Sequence, residues 1–296
     1  MGEKNRRKQE EKLRRKQQQL APSGLTDNVK KSSNNYLIVA LIVITVAALF
    51  PTLQSEFLLY DDQKLIVGNA TVINGSEIGF IDYINKQKFS PHWKPLVYLT
   101  WNIQGQLFGV DSFSFHLVNL LLHIFNTILL FYLMQMIIVR WIKNSQHISY
   151  LAFFIAIIFA IHPLHVESVA WATERKDVLY TFFFFFSLIA YIKYITKNYS
   201  IKWLVISVFL YLLVIGSKQM GITLFAVLFI VDYVFKRKVN RKLFLEKTGH
   251  ALILLFAFYI YGLLGDFGTQ AAGSVSYTHQ RAHETAMNIS YAVLCF

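Results

Sequence analysis

The chain has a single cysteine, Cys295, so neither an internal disulfide framework nor a cysteine-based metal cluster can form. No internal repeat is visible. Negative charge is scarce: 17 Asp and Glu stand against 29 Lys and Arg, a net charge of +12. Such a surplus invites a nucleic-acid reading. The basic residues, however, are spread over loops between apolar runs, which membrane topology explains better. Nucleic acid is therefore not an expected partner, and the lipid bilayer is.

What the chain has in excess is hydrocarbon. Its residues are 55% hydrophobic and 16% aromatic, with mean hydropathy +0.42. A soluble domain carries roughly 45–50% apolar residues, so the average excess is modest and its distribution decides the class. Runs such as 36–53 and 113–139 approach the ~20 residues that cross a hydrocarbon core of ~30 Å. Seven spans are expected, near 36–53, 113–139, 149–162, 178–196, 203–217, 220–235 and 249–264, with an eighth beginning near Met287. The expected fold class is an all-α, polytopic transmembrane helix bundle of about seven to eight spans. Its first loop, 54–112, is long. The stretch FSPHWKPLVYLTWNIQGQLFG there has helical apolar spacing, with Trp93 and Trp101 suited to the membrane interface.

Residues 1–35 form a basic tail, too long and polar for a secretory signal, so the first span reads as an uncleaved anchor. With the tail in the cytoplasm, inside segments carry 21 of the 29 Lys and Arg. That is the positive-inside pattern. Eleven of the 17 acids fall outside, a skew that this rule does not explain. The domain organisation expected is a cytoplasmic tail, 1–35, and a transmembrane domain, 36–296, whose last apolar segment reads as cut short.

Polar constellations gather on the outer side. Asp61 and Asp62 lie just past the first span, placed to take a proton from a hydroxyl, to hold a divalent cation, or simply to cap a short helix. Lys94, beside Trp93, could meet a lipid phosphate or serve as an interfacial anchor. In the second span His116, Asn119, His123 and Asn126 are spaced 3, 4 and 3. They share a face that must point into the bundle, towards a wet cavity or towards interhelical hydrogen bonds.

The second outer loop, HPLHVESVAWATERKDVLY, gathers His162, His165, Glu167, Glu174, Arg175, Lys176 and Asp177. HxxHxE is a weak metal signal and lacks a clear further ligand, so no metal is expected there. Arg175 and Lys176 at a helix start suit an anion, which the helix amides and the guanidinium fork both favour. Lys218, in the tight SKQMG turn, either snorkels or joins them around a lipid-linked phosphate.

The segments YDDQKLIVGN, HWKPLVYLTWNIQGQLFGVDSFSFHLVNLLLH, HPLHVESVAWATERKDVLYTFFFFFSLIAY and SKQMGITLFAVLFIVDY together resemble a bacterial family of multi-span proteins. These are similar to the eukaryotic TMTC O-mannosyltransferases and usually carry C-terminal tetratricopeptide repeats. The match runs in order over about 55–235, and four motifs at matching span spacing are specific where one is not. Lys94 and Gln219 depart from the pattern, which favours His and Glu.

The resemblance implies a GT-C-like glycosyltransferase in a bacterial inner membrane, with the amino terminus cytoplasmic. Its donor would be a polyprenyl-phosphate sugar and its acceptor a protein or glycan hydroxyl on the extracytoplasmic face. Asp61 or Asp62 would be the base, and Arg175, Lys176, Lys218 and Lys94 would hold the donor phosphate. His162, His165, Glu167, Glu174, His116, Asn119 and His123 would line the pocket. No particular cofactor is implied, and a divalent cation could bind the acidic pair. A transporter or flippase, or a scaffold for repeat-mediated contacts, are the other classes that intramembrane polar residues allow.

Overall fold

A computed structural model describes residues 34–59, 61–69 and 93–262. Every regular element among them is helical. Helix α1, Asn35–Leu49, runs on into a 3₁₀ turn, Phe50–Gln54, and a π-helical turn follows at Gln63–Val67. Helix α2 is Pro95–Phe108. It starts with proline in its first turn and stops at Gly109, whose φ of 72° suits a residue without a Cβ.

Helix α3, Ser112–Ile138, is capped by Asp111, which accepts the Ser114 amide at 2.9 Å. Helix α4, Ser145–Ile161, is capped by Asn144. After Pro163 the chain turns by 62° into the short α5, Leu164–Ala170. A 3₁₀ turn, Ala172–Glu174, leads into α6, Arg175–Thr196. Helix α7 is Ile201–Ser217.

The following 3₁₀ turn, Gln219–Thr223, lies so close to α7 that a Cβ on Gly221 would come within 2.3 Å of Val214 Cγ1. Only glycine fits there without displacing that valine. Helices α8, Leu224–Val234, α9, Arg241–Leu245, and α10, Thr248–Gly262, complete the described chain.

All seven expected apolar segments are helices, but their lengths correct the span count. Three stretches are long and apolar enough to cross a membrane: Asn35–Gln54, Ser112–Ile138 and Ala172–Thr196. The bent α4–α5 pair makes a fourth if counted as one span. The apolar helices Ile201–Ser217, Gln219–Val234 and Thr248–Tyr261 are shorter. Hydropathy marked all of them alike, because it registers composition and not where a helix stops. The tail and the segment near Met287 lie outside the described residues.

Helices α6 and α7 share the most extensive contact, and α3 packs between α4 and α6. A large apolar core joins α6, α7, α8 and α10 through Tyr191, Ile192, Tyr211, Ile215 and Leu224. A smaller core holds Ile66 of the π-turn, Val97, Tyr98 and Trp101 of α2, Phe115 of α3, and Ala172 and Leu179. This second core positions the candidate site. It fixes the first-loop turn and α2 against the start of α6 by burying apolar side chains from five elements, the large aliphatic and Phe side chains worth about 1.5–3 kcal/mol each when fully buried.

Candidate active site

The acidic pair divides. Asp62 is fully buried. Its Oδ2 accepts the Leu58 amide at 3.0 Å and its Oδ1 accepts the Thr173 amide at 2.9 Å. Burial pushes its carboxyl above the ordinary range; the two amides oppose that push and Asp61 adds to it. Hydrogen bonds to a charged acceptor contribute about 1.5–3 kcal/mol each. Asp62 thus fastens the first loop to the 3₁₀ turn that opens α6. Asp61 is half-buried and makes no hydrogen bond or ion pair among the described residues.

The basic pair divides as well. The Arg175 guanidinium is fully buried. Its Nε donates to Asn119 Oδ1 at 2.9 Å, its Nη2 donates to the Phe115 carbonyl at 3.1 Å, and it lies 5.0 Å over the Phe115 ring. Its Nη1 is unpartnered among the described residues. Arg175 therefore faces α3 and clamps α6 to it, apart from the other cations. Lys176 turns the other way and pairs with Glu174. Lys218 pairs with Asp177 and sits 5.7 Å from the Tyr180 ring.

Lys94, at the amino end of α2, completes this group and has no ion pair among the described residues. Burial first, then the Lys176 ammonium, lower it to about 8; Lys218 adds to this, while Glu174 and Asp177 work against it. Three ammonium groups and two carboxylates, from α2, the start of α6 and the end of α7, thus share one electrostatic neighbourhood. Glu167 is exposed and within reach of the same four charges on α6, its preceding turn and Lys218.

The polar stripe of α3 is fully inward: His116, Asn119, His123 and Asn126 are all buried. Asn119 Nδ2 donates to the Trp171 carbonyl at 3.1 Å, and Asn126 Nδ2 to Val178 at 2.8 Å. His123 Nε2 lies 3.0 Å from the Ala160 carbonyl. The Trp171 and Ala160 carbonyls lie at or beside helix carboxyl ends, which helices leave unsatisfied, while Val178 lies in the first turn of α6. The His116 ring lies against the Glu56 and Val169 backbones, though neither ring nitrogen makes a hydrogen bond of ordinary geometry among the described residues.

His162 is exposed and accepts the Leu164 amide at its Nδ1, 3.2 Å away. His165 packs 4.5 Å from the Phe159 ring and 5.6 Å from His123. Together they line the α4–α5 bend. No group of three or more His, Cys, Asp or Glu is placed to hold a metal among the described residues.

Two features escaped the sequence reading. One is a cleft of about 290 Å³ lined by Trp93, Pro95, Leu96, Leu99, Leu212, Leu213, Ile215, Gly216 and Phe256. Composition cannot mark such a site, since all its walls are apolar. The other is a buried charge network at the opposite end of the bundle. Asp232 takes the Tyr191 hydroxyl at 2.9 Å, Arg237 Nη1 at 2.9 Å, and Lys247 Nζ. Arg237 also reaches Glu246 at 2.5 Å. A lone acid inside an apolar helix was the available signal.

The described chain is thus an all-helical bundle of apolar helices with an acidic first-loop turn bonded to a basic helix start. Its sequence is similar to curated proteins of one kind. Protein O-mannosyl-transferase TMTC1 of Homo sapiens is 30% identical over 198 residues, 61% of this chain and 22% of the relative. Protein O-mannosyl-transferase TMTC2 of Mus musculus is 30% identical over 165 residues, 53% of this chain and 19% of the relative. The TMTC2 protein of Xenopus laevis is 29% identical over 242 residues, 76% of this chain and 27% of the relative. The chain spans about a fifth to a quarter of the length of these relatives. No family model matches the chain, and no solved structure does.

Proposed function

We propose that this chain is the membrane part of a GT-C-like glycosyltransferase that moves a sugar from a polyprenyl-phosphate donor to a protein hydroxyl. The observation that carries the reading is the bond from Asp62 Oδ1 to the Thr173 amide. It joins two motifs 111 residues apart, one acidic and one basic, at one end of the bundle. The similarity to proteins named O-mannosyl-transferases supports mannose as the sugar.

In this reading Asp61, which has no hydrogen bond or ion pair among the described residues, takes the proton from the acceptor hydroxyl. The acceptor oxygen attacks the anomeric carbon, whose bond to the phosphate oxygen breaks. The electron pair leaves with the polyprenyl phosphate, and the anomeric carbon inverts. Lys94, Lys176 and Lys218 stabilise the phosphate charge that develops. Asp62 and Arg175 are positioning residues: one holds the acidic turn, the other the start of α6. The face is the one opposite the basic tail, extracytoplasmic in a bacterial inner membrane.

The test is release of free polyprenyl phosphate from polyprenyl-phosphate mannose in the presence of acceptor protein. Parent chain, Asp61→Asn and Asp62→Asn are compared after their melting temperatures are measured. Release by the parent and loss in Asp61→Asn without loss of fold is the expected result. Equal release by all three would remove the acidic pair from the chemistry. No release from any polyprenyl-phosphate sugar would turn the reading to a transporter or scaffold.

A further inference from the structure

The end of the bundle that holds the buried charge network also carries an outer layer of cations. Asp232 and Glu246 are the only acids between Lys193 and Lys247, and Arg237 and Lys247 take up both. Lys193, Lys197, Lys202, Lys238, Arg241 and Lys242 make no ion pair among the described residues. They flank the α6–α7 turn and the connection from α8 to α10, and Lys197, Lys202, Lys238, Arg241 and Lys242 are exposed.

Aromatic faces hold several of these cations where carboxylates would otherwise stand. The centre of the Trp203 ring lies 4.5 Å from Lys193 Nζ and 5.9 Å from Lys197 Nζ. The Tyr199 ring lies 4.8 Å from Lys242 Nζ and 5.0 Å from the Arg237 guanidinium carbon, so it joins the α6–α7 turn to α9. Its other neighbour is Tyr194, 5.5 Å away and edge-on. A ring face attracts a cation through its quadrupole but does not cancel its charge. The lysines are therefore positioned and still positive. The backbone that presents them has an uncommon shape: Asn198, Tyr199 and Lys236, at φ 50°, 54° and 52°, are the non-glycine residues with positive φ among the described residues.

Hydrocarbon is exposed beside this charge. In α9 Leu243 is buried, while Arg241 and Leu245, four residues apart, share the face turned away from it. Phe244 and Leu245 are 55% and 68% exposed. Cations and apolar side chains on one exposed helical turn suit the boundary between headgroups and acyl chains. A nucleic acid or an acidic peptide would answer the charge and leave that hydrocarbon in water.

We infer that this end of the bundle binds an anionic phospholipid, with the headgroup phosphate at Lys197 and Lys242 beside Tyr199 and the acyl chains against Phe244 and Leu245. The inference is independent of the donor reading, since it concerns the other end of the helices.

The experiment measures the lipid that stays on the purified full chain in neutral detergent, by extraction after phosphatidylglycerol and phosphatidylcholine have been supplied together. Phosphatidylglycerol should be retained in preference by about tenfold, given the attraction of each lysine to anionic lipid. Lys197→Gln combined with Lys242→Gln should erase the preference. Tyr199→Leu, which leaves the charge unchanged, should lower it by about threefold through loss of the ring face. Lys64→Gln combined with Lys143→Gln, two exposed lysines outside these contacts, should leave it intact. Melting temperatures establish that each variant is folded. Equal retention of the two lipids by the parent chain, or a preference that survives loss of Lys197 and Lys242, would overturn the inference. So would an equal loss in the Lys64 and Lys143 pair, which would mean general charge attraction. Displacement of the lipid by inorganic phosphate or by polyglutamate would overturn it in favour of a general anion site or an acidic protein partner.

Discussion

The two ends of this bundle use the same residue types to opposite purposes. At the end away from the first loop, Arg237, Asp232, Glu246 and Lys247 keep side chains only 9%, 5%, 6% and 2% exposed. Their charges balance, and Tyr191 links Arg237, Asp232 and Lys247. Burial holds the Lys247 ammonium below its ordinary range against the pull of Asp232. At the first-loop end, Lys218 and Asp177 stay 25% and 26% exposed, and Lys94 has no ion pair among the described residues. A sealed, neutral network rivets helices, because breaking it strands a charge out of water. A half-wet cluster that includes a lysine without an ion pair among the described residues can trade partners with an incoming anion.

The sharpest way to break this comparison is Asp61→Asn. Release of polyprenyl phosphate should fall about 10²–10⁴-fold, the usual worth of a general base, with the melting temperature unmoved. A parallel fall in both would make Asp61 a structural residue like those at the other end. Next is Lys247→Met, which leaves Arg237 alone to balance the buried Asp232 and Glu246. Stability should drop by about 3–5 kcal/mol in a denaturant titration, while release per folded molecule holds; a stable variant would show that the network is not a rivet.

Lys94→Gln should weaken donor binding by roughly tenfold to a hundredfold, since a hydrogen bond to a charged group is worth about 1.5–3 kcal/mol, and should leave turnover at saturating donor nearly unchanged. A loss confined to turnover would put Lys94 in the chemistry. The smallest effect is on pH. Lys94 stands at about 8 when free, and a bound phosphate raises it. Donor affinity is therefore full below pH 8 and falls as pH rises through that value. Between pH 7 and 9 the apparent KM should rise up to about tenfold in the parent, and this rise should vanish in Lys94→Gln.

Hydropathy made the seven apolar segments legible, and each is helical. The inward face of α3 was legible too, since His116, Asn119, His123 and Asn126 recur at helical spacing. The fate of Arg175 was not. Neighbours on a helix point ~100° apart, so one of Arg175 and Lys176 had to turn away from the cluster, and charge alone does not say which. Asp61 and Asp62 split for the same reason. Of the rivet at the far end only Asp232, the acid inside apolar α8, was legible, because its partners come from α6 and the segments on either side of α9. The number of full-length spans failed because helix ends depend on turns such as the 3₁₀ segment at Gln219–Thr223, and an average over a window does not register them.

The bond from Asp62 to Thr173 also sets an order of assembly. The chain is made from its amino end, and residue 173 emerges long after residue 62. The acidic turn has no lasting partner until the second loop has been synthesised and delivered to the same side of the bilayer. This contact is therefore a late event in biogenesis: it closes only once helices α2 to α5, which lie between its two halves, have been made.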